Sequence, residues 1–193
     1  MQSLEQRCKQ LYQDLTAAPL RISSYNDLPF AILQYLPRDE IAMRREIQML
    51  ARKLEIQGKI PVLISLADLL WQSIEKSDDG LDGLIHYEKK RGFNDAQQIA
   101  TTYLSHKEWA PLPDTLQQKV ADLSPEKHIV LLSRAAAMGP AIYHMSKLLD
   151  EMHNRTLVPM ILFYPGSLTG VTGLRFMDLS MHEPMGNYRV KIY

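Results

Sequence analysis

Three glycines, Gly166, Gly170 and Gly173, follow the most apolar stretch of the chain and are the first residues to consider for phosphate chemistry. Backbone N–H groups freed by glycine can cradle phosphate oxygens. This cluster lacks the Gly-Lys-Ser/Thr ending that supplies a cation and a magnesium ligand, and it leads into a predicted strand instead of a helix. Ser167 is not the centre of a Gly-x-Ser-x-Gly motif, because Leu168 occupies the middle position. The pattern therefore predicts a turn, and it supports neither a nucleotide loop nor a nucleophile elbow.

An acidic segment at 78–83, Asp-Asp-Gly-Leu-Asp-Gly, carries some of the oxygen ligands of a calcium loop. Such a loop needs ligands at positions 1, 3, 5 and 12, whereas position 3 here is Gly80 and position 12 is Lys89. We favour a solvated acidic turn between helices. The six histidines include no i, i+4 pair and Cys8 has no second cysteine, so the sequence predicts neither a metal site nor a cofactor.

The stretch from Val158 to Tyr164 is the element that must position these residues. It is apolar or aromatic without polar alternation, which is typical of a central parallel strand buried on both faces. Pro165 lacks an N–H donor and Gly166 accepts positive φ, so we expect the strand to end there in a tight turn. In open α/β sheets, ligands and partners meet the fold at this carboxyl edge.

Hydrophobic periodicity predicts alternating strands and helices along the rest of the chain. Further core strands are predicted at 30–36, 59–65 and 128–133, helices at 4–15, 39–57, 66–74 and 140–153, and short edge strands at 173–177 and 187–193. Residues 77–125 are too long for a bare connection, so we expect a helical insertion there, with helices near 85–91, 95–105 and 113–123. We predict one α/β domain over residues 1–193, a three-layer Rossmann-like fold with a mostly parallel sheet.

Two blocks of sequence resemble the BrxB proteins of bacterial BREX phage-defence systems. The C-terminal block comprises Leu162-Phe163-Tyr164-Pro165-Gly166, then Leu174-Arg175-Phe176, then Asn187-Tyr188-Arg189-Val190-Lys191-Ile192. The N-terminal block comprises Pro29-Phe30-Ala31-Ile32-Leu33-Gln34-Tyr35, Asp39-Glu40 and Met43-Arg44-Arg45-Glu46-Ile47. At 166–171 the chain departs from the family pattern, since an acidic residue is expected before the second glycine. No role of that carboxylate is carried over to this chain.

The resemblance implies a non-catalytic component of a phage-exclusion system. In such systems the family works alongside an AAA-class ATPase, an adenine-specific DNA methyltransferase and the alkaline-phosphatase-like protein PglZ. We expect a protein-interaction subunit, with the PglZ-type protein as its first candidate partner and the ATPase and methyltransferase as further candidates. A degenerate nucleotide-sensing or nucleic-acid-binding adaptor of the same system is the alternative.

The charge balance and the cysteine content limit the partners and the cell compartment that we expect for this chain. Lys+Arg and Asp+Glu are both 22, so the formal net charge is zero and gives no global attraction to nucleic acid or anionic membrane. Direct nucleic-acid binding and membrane association are therefore not expected. Cys8 cannot form an intrachain disulfide and no signal-peptide pattern is present, so we expect a cytoplasmic location.

Aromatic and arginine side chains near the carboxyl edge of the predicted sheet are the candidates for partner binding, since these types are enriched at interface hot spots. The candidates are Tyr164, Pro165, Gly166, Leu174, Phe176, Tyr188 and Arg189. The helical insertion offers a competing surface, with Trp109 and the basic run Lys89-Lys90-Arg91.

Overall fold

A computed structural model describes residues 3–23, 28–77, 79–170, 173–179 and 190–193. The helices are α1 Leu4–Thr16, α2 Glu40–Ile56, α3 Leu66–Glu75, α4 Gly80–Arg91, α5 Phe93–Ser105, α6 Leu112–Val120, α7 Gly139–Ile142 and α8 Met145–Met152. The strands are β1 Phe30–Tyr35, β2 Ile60–Ser65, β3 His128–Ser133, β4 Met160–Thr169, β5 Gly173–Phe176 and β6 Lys191–Ile192. Short 3₁₀ helices lie at Pro37–Asp39 and Ala135–Met138.

The strands form one sheet in the order β2-β3-β4-β1-β6, with β5 paired to β4 beside this path. Strand β4 is parallel to β1 and β3, β1 is parallel to β6, and β5 runs antiparallel to β4. The predicted α/β, Rossmann-like class with a mostly parallel sheet is therefore confirmed. The apolar run chosen as the central strand does lie in the middle of the sheet, and its residues 158 and 160–164 are buried on both faces.

The chain divides into two compact units. The sheet unit consists of residues 1–64, 123–136 and 157–193, and the helical unit consists of residues 65–122 and 137–156. The helical unit extends beyond the predicted insertion at 77–125, because it also includes α3 and the segment with α7 and α8. The prediction of one domain stays a prediction.

The core of the sheet unit forms where α1 and α2 cover one face of the sheet. Alternate strand residues point to this face, as the pleat requires, and they meet the apolar stripes of both helices. The cluster contains Leu11, Leu15, Met43, Ile47, Leu50, Ala51 and Leu54 from the helices and Ala31, Leu33, Tyr35, Ile129, Leu131, Ile161 and Phe163 from the strands. The stripe at 47, 50, 51 and 54 is the one that the spacing predicts.

Local sequence explains where the helices of the sheet unit begin and end. Ser3 caps α1 in a reciprocal pair of hydrogen bonds. The Ser3 side chain accepts from the backbone N–H of Gln6, and the Gln6 side chain accepts from the backbone N–H of Ser3. Helix α2 ends at Ile56, and Gly58 is the C′ residue that follows it, as predicted; its φ of +75° suits a residue without a side chain. The Gly58 N–H donates to the carbonyl of Glu55, and the Lys59 N–H donates to the carbonyl of Leu54. Two carbonyls at the end of the helix are thereby satisfied.

Three predicted boundaries are wrong. Strand β4 does not stop at Pro165 but continues to Thr169, and the turn comes at Gly170. The helix predicted at 140–153 is two helices, because Tyr143 and His144 are extended (ψ 130° and 127°). In this conformation the Tyr143 ring is buried and its hydroxyl donates to Glu151 at 2.8 Å. The acidic segment is largely helical, since α4 already begins at Gly80.

Candidate functional site

The predicted partner-binding residues of β4 and β5 contribute to packing at the carboxyl end of the sheet. Tyr164 is only 3% exposed, and its ring meets Phe176 edge-on at 5.5 Å between centroids. Leu174 is 1% exposed, Pro165 is buried, and Phe176 is half-buried. Side chains that are already covered offer little free surface to a partner. Among the described candidates, Phe176 alone keeps part of its side chain accessible.

Gly166 has a structural reason to be glycine. It pairs with Phe176 across the β4–β5 ladder, and a Cβ added to it would lie 2.1 Å from the carbonyl oxygen of Arg175. Only a residue without a side chain permits this approach of two backbones. Pro165 lies where β4 passes from its parallel neighbours to β5, and its carbonyl accepts from the N–H of Met177 at 2.9 Å. The Pro-Gly pair therefore marks a change of strand partner inside a continuous strand.

The remaining two candidates, Tyr188 and Arg189, lie outside the described residues. The described end of the predicted C-terminal strand is β6, which forms the outer edge of the sheet beside β1. Its role as a docking surface stays a prediction.

A polar network at the carboxyl edge was not predicted from the sequence. An Arg7 guanidinium nitrogen donates to both the carbonyl and the side-chain oxygen of Gln34, the latter at 2.8 Å, and to the carbonyl of Tyr193 at 3.4 Å. The side-chain amide of Gln34 donates in turn to the carbonyl of Gly166. Burial lowers the pKa of Arg7 from its ordinary value, because desolvation penalises the charged form. The network ties α1, β1 and β4 together at the place where α/β folds commonly bind ligands.

One signal could have pointed to this network. Gln34 is the single polar residue in the otherwise apolar run of β1, and a polar side chain buried in a sheet must find hydrogen-bond partners. The identity of that partner was not accessible, because Arg7 lies 27 positions earlier in the chain.

A second polar cluster fastens the end of the chain to α1. Asp14 is buried and accepts from the hydroxyl of Tyr193 at 2.8 Å and from the ammonium of Lys191 at 2.6 Å. Lys191 also lies over the Tyr193 ring, 4.9 Å from its centroid. Burial and the bond to Asp14 raise the pKa of Tyr193 well above its ordinary value. This cluster holds β6 in register with β1.

The helical unit contains an apolar groove, which we call the helical groove. Its volume is about 270 Å³, and its walls come from α3, α4 and α5 with two residues near α7. The lining residues are Leu70, Trp71, Ile74, Leu81, Leu84, Ile85, Glu88, Phe93, Ala96, Gln97, Ala100, Ala137 and Ile142. Three large side chains of this lining are exposed, namely Trp71 (50%), Ile85 (39%) and Phe93 (64%). The groove is therefore an apolar surface open to solvent.

Trp109, which the sequence offered as the aromatic of the competing surface, is packed elsewhere in the helical unit. Its ring is half-buried and contacts Tyr103 at 5.2 Å and His106 at 5.4 Å between centroids. The exposed aromatic residues of the groove are instead Trp71 and Phe93, which no motif in the sequence had indicated.

A second cavity, of about 480 Å³, lies along another side of α4. Its lining mixes acidic, basic and aromatic side chains, comprising Asp79, Asp82, Gly83, His86, Tyr87, Lys90 and Arg91. Within the described ranges, no group of three or more His, Cys, Asp or Glu side chains could hold a metal ion. Asp78 of the acidic segment lies outside those ranges.

Comparison with family models gives one decisive match. The model described as BREX protein BrxB matches residues 62–192, which is more than half of the 193 residues. The chain belongs to the BrxB family. Comparisons with curated proteins and with solved structures gave no match.

The BrxB match covers the helical unit completely and the sheet unit only in part. It includes the whole helical unit with the helical groove, together with β3, β4 and β5. Helix α1, strand β1 and the N-terminal block at 29–47 lie before the matched range. Membership of the family makes the chain a component of a BREX phage-defence system, with other BREX components as partners. None of the described helices is both long and apolar enough to cross a membrane.

Proposed function

We propose that this BrxB-family chain is a non-catalytic, cytoplasmic subunit that binds larger BREX proteins, the PglZ-type protein first among them. The observation that carries the proposal is the helical groove, whose exposed apolar lining is unlike an ordinary solvated helix face. Tryptophan is the most enriched residue type at interface hot spots, and contiguous apolar surface on a soluble protein is often a binding site.

The energy available from covering this groove is adequate for a specific complex. An aromatic side chain buries about 150–250 Å², so the exposed parts of Trp71 and Phe93 together amount to roughly 170–290 Å². At about 25 cal/mol per Å², their burial contributes on the order of 4–7 kcal/mol before the costs of association. Ile85 lies in the same lining and adds to this total.

The alternative, a nucleotide-sensing or nucleic-acid-binding adaptor, has less support. The polar network of Arg7 and Gln34 fills part of the carboxyl edge where a nucleotide would be expected. The balanced charge also gives no general attraction to phosphates. A nucleotide that binds the native chain would raise its melting temperature by mass action, so thermal shift with ATP tests the alternative directly.

Co-expression tests the proposal. The tagged chain is produced with the PglZ-type protein, the AAA-class ATPase or the methyltransferase of its own system, and the retained protein is measured after affinity purification. We expect the PglZ-type protein to be retained by the wild type and lost with the double variant Trp71→Ala, Phe93→Ala. Both side chains are exposed, Trp71 by half and Phe93 by more than half, so the circular dichroism spectrum should stay the same.

The matched control is Ile56→Ala on α2, because Ile56 is 80% exposed but lies in the sheet unit. This variant should retain the partner. A Phe176→Ala variant and a combined Tyr188→Ala, Arg189→Glu variant examine the carboxyl edge in the same assay. Loss of the partner in these two but not in the groove variant would place docking at the sheet edge. Retention of none of the three BREX proteins by the wild type would contradict the proposed function.

A further inference from the structure

We propose that the helical groove receives an amphipathic helix of the partner, with carboxylates at the end of that helix that meets Lys89 and Arg91. This inference rests on the proposed function and gives its binding site an occupant of defined chemistry. Three features of the helical unit lead to it, namely the kind of wall, the size of the groove and the charge at one end.

The walls of the groove favour a helix as occupant. An extended peptide gains its affinity by adding a strand to an exposed sheet edge, and the groove is bounded by helices α3, α4 and α5. On α4 the lining residues Leu81, Leu84, Ile85 and Glu88 follow the i, i+3, i+4, i+7 spacing of one helix face. A partner helix that presents apolar residues at the same spacing matches such a groove.

The open rim of the groove favours side chains of a larger partner over a free small molecule. Pockets for drug-sized ligands measure about 300–1,000 Å³ and enclose most of the ligand. The groove measures about 270 Å³ and leaves Trp71 and Phe93 exposed at its rim. It can take a few apolar side chains from a surface that also covers the rim.

The charge at the C-terminal end of α4 defines the polar part of the partner. With about 100° between successive helix residues, Lys89 and Arg91 lie roughly 70–90° to either side of the groove-facing direction, whereas Lys90 points to the far side. Lys89, Lys90 and Arg91 are exposed, and none of them forms an ion pair with another described residue. Lys90 lines the second cavity and not the groove, whereas Arg91 lies at the border between the two faces of α4 and also lines the second cavity.

The acidic groups near the groove do not cancel this positive end. Glu88 lines the groove between the two flanking cations, and the C-terminus of α4 adds a partial negative charge of about half a unit. The two positive charges of Lys89 and Arg91 exceed both together by about half a unit. Asp95 of α5 lies on the side of its helix away from the lining residues Phe93, Ala96 and Gln97, roughly 160° from their mean direction. Carboxylates on the partner therefore complement this end of the groove.

The test measures binding of the full chain to the purified PglZ-type protein by biolayer interferometry at two salt concentrations. The variant Lys89→Glu, Arg91→Glu should bind at least about tenfold more weakly, and the affinity of the variant should depend less on salt than that of the wild type. The matched control Lys90→Glu makes the same kind of charge reversal on the far side of α4. Its affinity should stay within about twofold of the wild type.

Hydrogen exchange on the PglZ-type protein identifies the occupant. We expect protection of one segment that is helical in its exchange pattern, with apolar residues at i, i+3 or i+4 and i+7 and with acidic residues at one end. Protection of an extended segment, or of surface without this pattern, would overturn the helical occupant.

The outcomes separate this inference from the proposed function. If Trp71→Ala abolishes binding while Lys89→Glu, Arg91→Glu leaves affinity and salt dependence unchanged, docking in the groove stands and the acidic partner is wrong. If the charge reversal instead abolishes binding to a fluorescein-labelled DNA duplex, the basic end binds nucleic acid and the inference fails. If another BREX component is retained in co-expression, the same variants are measured with it, and retention of none overturns both claims.

Discussion

Removing the carboxylate of Asp14 should release the C-terminal strand from the sheet unit. In the structure this carboxylate accepts from the Tyr193 hydroxyl at 2.8 Å and the Lys191 ammonium at 2.6 Å. Tyr193 in turn exchanges backbone hydrogen bonds with β1, donating to Ile32 at 2.9 Å and accepting from Gln34 at 3.1 Å. We therefore expect Asp14→Ala to destabilise the sheet unit and to loosen the β1–β6 pairing.

The expected loss of folding stability follows from the hydrogen bond or ion pair that each partner of Asp14 loses. Tyr193 is 7% exposed, so its hydroxyl would be left as a buried donor without its acceptor, at a cost of about 1–3 kcal/mol. Lys191 is less affected, because its side chain is 29% exposed and its ammonium still donates to the carbonyl of Arg21 at 3.1 Å. A partly exposed ion pair contributes at most about 1 kcal/mol. The expected loss for Asp14→Ala is therefore about 1–4 kcal/mol.

Urea denaturation followed by circular dichroism measures this loss, with Tyr193→Phe and the double variant completing a mutant cycle. Tyr193→Phe removes the donor while Asp14 keeps Lys191, so it should cost only about 1 kcal/mol. The two changes should be coupled by about 1 kcal/mol or more, since both remove the same hydrogen bond. Independent effects, with a coupling energy near zero, would refute the structural reasoning.

Three further predictions concern the central strand and the single thiol. Leu162→Asp places an unpaired carboxylate at a fully buried position, so soluble yield and melting temperature should collapse, and an unchanged melting curve would contradict burial on both faces. Gly166→Ala should lower the melting temperature sharply, because its Cβ would meet the Arg175 carbonyl at 2.1 Å, and a neutral result would contradict the β4–β5 approach. Burial raises the pKa of Cys8 to about 12, so DTNB should label it slowly at pH 8 in the native chain and quickly in urea. Since the folded pKa lies above the unfolded value of 9.0, the thiol's contribution to stability should be complete below pH 9 and should decline as pH rises toward 12, a trend that alkaline melting curves can check.

The regular elements were predictable because their signals are local. The unbroken apolar run of β4 indicates a buried strand. The helical spacing of Ile47, Leu50, Ala51 and Leu54 indicates that α2 is a helix and shows which of its faces is buried. The glycine at position 58 also indicated the end of α2 correctly. Boundaries that depend on a distant partner were the ones that failed, as at Pro165, where β5 continues the ladder.

The candidate partner-binding residues show the same difference between what local sequence indicates and what packing decides. Residue type made Tyr164 and Leu174 attractive as anchors, but the fold covers both side chains. Trp71 and Phe93 belong to separate helices of the chain, and nothing in their local sequence shows that both remain exposed on one groove.

By itself, the sequence determined the α/β class, the central strand and the resemblance to the BrxB family, because composition, periodicity and motif order are properties of neighbouring residues. Only the tertiary structure decided which side chains are covered and which polar groups meet. Arg7 reaches Gln34 and Asp14 reaches Tyr193 although these residues are far apart in the chain, and the helical groove opens between the separate helices α3, α4 and α5. Such contacts depend on how complete elements pack, and no local pattern encodes them.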